Sequence, residues 1–100
     1  MVRMRTTMVE YRLIGRISSV NGECTAGHRV GEEFDLTLRS GDGTTRRAPQ
    51  ICSFFYNTLF PYLATMQFGG EFPWEKDKER FLRGCPDNYK VVIVIKRVRV

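Results

Sequence analysis

Ile51, Phe54, Phe55, Thr58, Leu59, Tyr62, Leu63 and Met66 recur at three- and four-residue steps, the spacing of one face of an α-helix. A second row, Cys52, Tyr56 and Phe60, runs beside the first, so the pattern predicts a helix that is apolar over much of its circumference and largely enclosed. Ala48-Pro49 suits its first turn, because proline lacks only a donor that a helix start leaves free. Pro61 falls inside the pattern, removes a backbone hydrogen bond and predicts a kink or two successive helices. Gly69-Gly70 ends the element.

Before and after this stretch the period changes to two. From Val9, the positions Val9, Tyr11, Leu13 and Ile17 are apolar while Glu10, Arg12 and Arg16 point the other way, a first strand with one buried face. Gly15 interrupts the row and predicts a bulge or bend. Asn21-Gly22 is a turn signal, followed by a glycine-containing loop carrying Cys24 and His28. A second strand is predicted from about 33 to 39, where Phe34, Leu36 and Leu38 alternate with polar residues. Ser40 to Arg47 reads as a polar turn. A short third strand is predicted over 79–84, then the turn Cys85-Pro86-Asp87-Asn88 and a last strand over 89–98. The run VVIVI in that last strand predicts burial on both faces and a central place in the sheet.

The predicted fold is therefore α+β in the order ββαββ: a small curved, mainly antiparallel sheet of about four strands with one kinked central helix. The 100-residue chain is short enough for a single domain, expected over 8–100, behind a basic N-terminal tail at 1–7. Polar interruptions at Asn57, Thr58, Pro61, Thr65 and Gln67 argue against a membrane span. The start, MVRMRTTM, has no apolar run or small-residue cleavage site, and a cytoplasmic protein with reduced thiols is expected. An odd count of 3 cysteines also argues against a disulfide framework.

The chemistry concentrates in Cys24, His28, Cys52 and Cys85, a set that would satisfy a tetrahedral Cys3His zinc site, or with soft thiolates an iron–sulfur cluster. No C-x-x-C knuckle supports it, and buried free cysteines also serve as small hydrophobes. Two other uses stay open. Cys52, in the first turn of the helix where the dipole activates a thiol, has His28 as the one imidazole in the chain to act as base, which allows a thiol enzyme. The net charge of +5, Arg46-Arg47, the group Lys96, Arg97 and Arg99, and the rings Phe54, Phe55, Tyr56, Phe60, Tyr62, Phe68, Phe72 and Trp74 allow a basic binding module for nucleic acid or another anionic partner. Core packing is the simpler use of those rings, as they fall on the helical stripe. Glu32, Glu33 and Asp35 show no pairing that suggests acid–base work. No P-loop, dinucleotide fingerprint or nucleophile elbow occurs.

The blocks G-E-C-T-A-G-H-R-V-G-E-E-F at 22–34, I-C-S-F-F-Y-N-T-L-F-P-Y-L at 51–63, G-G-E-F-P-W at 69–74 and C-P-D at 85–87 together resemble a family of small prokaryotic proteins with no established activity. The resemblance spans nearly the whole chain from about Met8. It implies that Cys24, Cys52 and Cys85 stand at motif cysteines and that His28 and Trp74 are motif positions.

Overall fold

A computed structural model describes residues 11–100. The start of the first strand at Val9 and the basic tail at 1–7 lie outside the described residues. The elements are β1 (Tyr11–Val20), β2 (Glu33–Asp35), α1 (Ser53–Gln67), β3 (Arg80–Gly84) and β4 (Val91–Arg99), the expected ββαββ order. They form one antiparallel sheet with strand order β2-β1-β4-β3.

The period-two pattern of β1 and β4 decides how the sheet packs. Leu13, Ile17, Ile93 and Ile95 are fully buried on one face and meet Phe55, Leu59, Leu63 and Met66 of α1. Each such side chain removed from water contributes roughly 1.5–3 kcal/mol before chain entropy is subtracted. β4 is central, as the VVIVI run implies, but only its odd positions are buried; Val92 and Val94 are half exposed on the bare face. Among the described residues the sheet has a helix on one side and no second layer, so the continuous apolar run does not become a doubly buried strand.

The same geometry corrects the expectation of an enclosed helix. Phe54, Phe60 and Phe68 lie on the outer side of α1 and are exposed, at 77%, 48% and 61%. Pro61 also lies outward, and α1 runs through it as one helix. The carbonyl that Pro61 leaves without a helical partner belongs to Asn57, an exposed residue open to solvent, so neither two helices nor a break is required. The helix begins at Ser53 rather than at Pro49. Ile51 donates its N–H to the Pro49 carbonyl in a turn, and Cys52 is the N-cap, with no side-chain cap bond.

Gly15 marks no bulge. It sits in regular register between Phe34 and Ile95, and the irregularity in β1 falls between Ile17 and Ser19. Glycine is needed because a Cβ there would come within 2.7 Å of Leu36 and 2.8 Å of Ile93, the side chains that close over it. β2 is only three residues long because the segment after Asp35 leaves the ladder. Thr37 takes the Leu13 N–H on its hydroxyl, and Leu38 donates its N–H to Gln67 Oε1 at the end of α1. Leu36 and Thr37 are consequently both buried, which ends the alternation.

Arg97 fixes the far end of the helix. Its guanidinium donates to the carbonyls of Met66 (3.0 Å), Gly70 (2.8 Å) and Lys78 (2.9 Å), grips the Glu79 carboxylate, and lies 4.7 Å over the Tyr11 ring. One buried cation thus binds carbonyls left open at the C-terminus of α1 and the loop that leads to β3. Among the described residues no helix is long and apolar enough to cross a membrane.

Candidate functional site

Three connections meet at the N-terminal end of α1. The loop between β1 and β2 brings Cys24 and His28, the helix N-cap brings Cys52, and the turn between β3 and β4 brings Cys85. All four line one cavity of about 360 Å³, together with Thr25, Phe54, Phe55, Asp87 and Lys90. The fold gathers every cysteine in the chain and its one histidine at a single place, as the four-residue set suggested. Cys85 is buried, Cys24 and Cys52 are partly buried, and all three are free thiols.

The histidine is held from both sides. The Cys52 N–H donates to His28 Nε2 at 3.1 Å, which requires that nitrogen to be bare, so the proton sits on Nδ1 and is donated to Glu32 Oε1 at 2.8 Å. Its ring stands edge-on to Phe34, with centroids 5.5 Å apart. His28 therefore joins the β1–β2 loop to the start of the helix and supplies the N-cap bond that no side chain of α1 makes. With both nitrogens engaged, it is not placed to take a proton from the Cys52 thiol, and the catalytic dyad lacks its base.

Cys85 has its own support. The Val91 N–H points at its sulfur at 3.4 Å, and the Cys85 N–H binds the Val91 carbonyl at 2.8 Å, closing the turn. Within that turn Asn88 and Tyr89 have φ of 58° and 59°, two successive non-glycine residues in the left-handed region. The Tyr89 ring lies over Gly84, where a Cβ would stand within 2.2 Å of it, so only glycine admits this packing. The backbone is held in a strained form that aims an N–H at a thiol.

Cys24 is the least constrained of the three. It lies in a turn closed by the Gly27 N–H to the Cys24 carbonyl at 2.9 Å. Gly22 and Gly27 adopt φ of 87° and 78°, and a Cβ on either would meet nothing within 4 Å. Among the described residues no three His, Cys, Asp or Glu side chains stand close enough together to share a metal ion. The positive end of the α1 dipole lies at the cavity, with no acidic residue in the first turn to offset it, and favours negative charge there.

The residues of the anion-binding reading are dispersed or already engaged. Arg97 is internal, and Arg46 shares the Asp35 carboxylate with Arg12, at 2.7 Å and 2.9 Å. Phe55 and Phe72 are buried, while Phe54, Phe60, Phe68 and Trp74 are exposed, so core packing accounts for only some of these rings. Sequence reasoning set Glu32 aside with Glu33 and Asp35 as unpaired, although its place four residues after His28 was a readable signal, and passed over Lys90, for which nothing local distinguishes a cavity residue from a surface lysine. The chain matches no protein-family model, no curated protein and no solved structure.

Proposed function

We propose that the protein binds a soft metal centre, zinc or an iron–sulfur cluster, through Cys24, Cys52 and Cys85, with His28 as the residue that positions them. The observation that carries this reading is that three thiols from three remote segments line one cavity. An N–H directed at the Cys85 sulfur and a helix N-terminus beside Cys52 both suit thiolate ligands, which soft ions select. No three of these side chains stand close enough together to share an ion as placed, so the reading requires the Cys24 turn to move inward on its glycine joints, Gly22 and Gly27.

The test is metal content and visible absorption of untagged protein purified without oxygen or chelator. Wild type is expected to carry stoichiometric zinc or the broad visible absorption of an iron–sulfur cluster, and Cys52→Ser and Cys24→Ser to lose it. Because Cys24 lies in an open turn, its replacement leaves the fold intact and separates loss of metal from loss of structure. Wild-type protein that is folded, colourless and free of metal would return the thiols to a packing role.

A further inference from the structure

We infer that the open face of the sheet, on the side away from α1, docks an acidic, amphipathic segment of a partner protein, independently of the thiol cavity. The even positions of β1, β3 and β4 pair with one another across the ladders, Ile14 and Arg80 with Lys96, Arg16 and Leu82 with Val94, and they face this side, opposite the buried row. Ile14, Leu82, Val94 and Val98 give the face an aliphatic floor, with Leu82 43% and Val98 49% exposed. A groove of about 560 Å³ runs over this floor from Ile14 and Arg16 to Arg80. Three strands about 4.8 Å apart span roughly 10 Å, the width of one helix, so a single amphipathic helix covers the apolar strip. Such a helix supplies the second layer that the VVIVI run of β4 is patterned to meet.

Charge selects the partner. On the β1 side of the face Arg12 pairs with Asp35 at 2.9 Å and Arg16 meets Glu33 at 3.6 Å. On the β3 side Arg80 and Lys96 stand directly opposite one another in register, and among the described residues neither makes an ion pair. Like charges directly opposite destabilise a strand pair, and a carboxylate seated between them removes the repulsion. The floor between the cations is aliphatic, so it accepts methyl and methylene groups, whereas single-stranded bases need rings on which to stack. Tyr89 lies only at the margin of the face, over Gly84. A second copy of the chain would bring the same cations against these, and residues 1–10, outside the described part, carry two arginines and one glutamate. Neither supplies the negative complement; a partner with leucine-like side chains flanked by carboxylates satisfies both floor and cations.

The test is fluorescence anisotropy with a labelled helical peptide, about 16 residues long, that carries leucines along one face and glutamates on both flanks. Labelled oligouridylate serves as the nucleic-acid probe. The peptide is expected to bind and to weaken as salt is raised. Replacing Arg80→Gln and Lys96→Gln together should weaken it roughly fivefold to tenfold, the scale of two partly exposed ion pairs, and Val94→Ser should weaken it at every salt concentration. The double variant should melt no lower than wild type, since it removes a repulsive pair, and this separates lost binding from lost structure. No binding of the peptide, or binding that the double variant leaves unchanged, overturns the inference. Tighter binding of oligouridylate than of the peptide also overturns it and makes the face a nucleic-acid surface. A dimer in sedimentation that Val94→Glu disperses overturns it in favour of a second copy. The metal content of the protein bears on none of these outcomes.

Discussion

Asp35 receives Arg12 from β1 and Arg46 from the turn that follows, and its other oxygen accepts the Thr37 N–H. Burial pushes its carboxyl up from the ordinary 3.8, but the bonds from Thr37, Arg12 and Arg46 outweigh burial and hold it well below the usual carboxylate range. A depressed carboxylate contributes stability that is fully present above its unfolded value and is lost as pH falls toward the folded one. Asp35 is 35% exposed, with Arg12 and Arg46 at 52% and 39%, so solvent screening reduces the contribution of the group to on the order of 1 kcal/mol. Asp35→Asn is expected to destabilise the protein by about that amount at neutral pH in urea unfolding. The gap to wild type should narrow as pH falls below about 4, toward the depressed folded value. A gap unchanged over that range would show that the aspartate acts through packing or geometry rather than charge.

At the scale of elements, the two ends of α1 have different fastenings. The N-terminal end is tied by His28 to a loop, and the C-terminal end by Gln67 and Arg97 to the sheet, with Gln67 Nε2 donating to the Tyr11 carbonyl at 3.0 Å. Arg97 is 5% exposed, and its removal would take from the Gly70 and Lys78 carbonyls their side-chain donor and leave Met66 with the Gly69 N–H alone. Arg97→Met is expected to lower unfolding free energy by about 3–5 kcal/mol, and Arg97→Lys to recover only part, since one ammonium cannot reproduce a planar five-donor fork. A loss below about 1 kcal/mol in denaturant titration would mean that water replaces the guanidinium there. The sequence showed where these elements lie more clearly than how they are fastened. Periodicity identified the helix and the long strands because it records which face is buried. Arg97 shares the odd, buried row of β4 with Ile93 and Ile95, yet sequence reasoning groups it with Lys96 and Arg99 as a basic surface, because a basic residue reads locally as surface. The enclosed helix and doubly buried β4 failed for one reason: apolar patterning reports affinity for a second layer, and the described residues provide none. In the site, the set of four was legible from composition. The two bonds that hold the His28 ring depend on Glu32 and a backbone N–H, and only tertiary placement shows them.

Across the whole molecule the cavity joins parts that no single element contains. Cys24 lies before β2, Cys52 before α1 and Cys85 before β4, so an ion bound by all three closes long loops of chain at one point. Such closure acts on the unfolded ensemble as a cross-link does, and ligation present only in the folded state adds to global stability by mass action. At a free-ion concentration about a hundred times Kd, the gain is about 2.7 kcal/mol. For a domain of this size that raises Tm on the order of 10 °C or more. Thermal melts of demetallated protein with and without added zinc measure it directly, and the shift should vanish in Cys24→Ser although that turn carries little of the fold. A local site would behave differently. If zinc bound through Cys52 and Cys85 alone, Cys24→Ser would keep most of the shift, and the β1–β2 loop would have no part in holding the ion. A shift of equal size in a variant with all three cysteines replaced would place the zinc elsewhere on the protein. Loss of the shift on replacing any one thiol is the outcome that a three-ligand site requires, because the stabilisation then depends on joining all three segments.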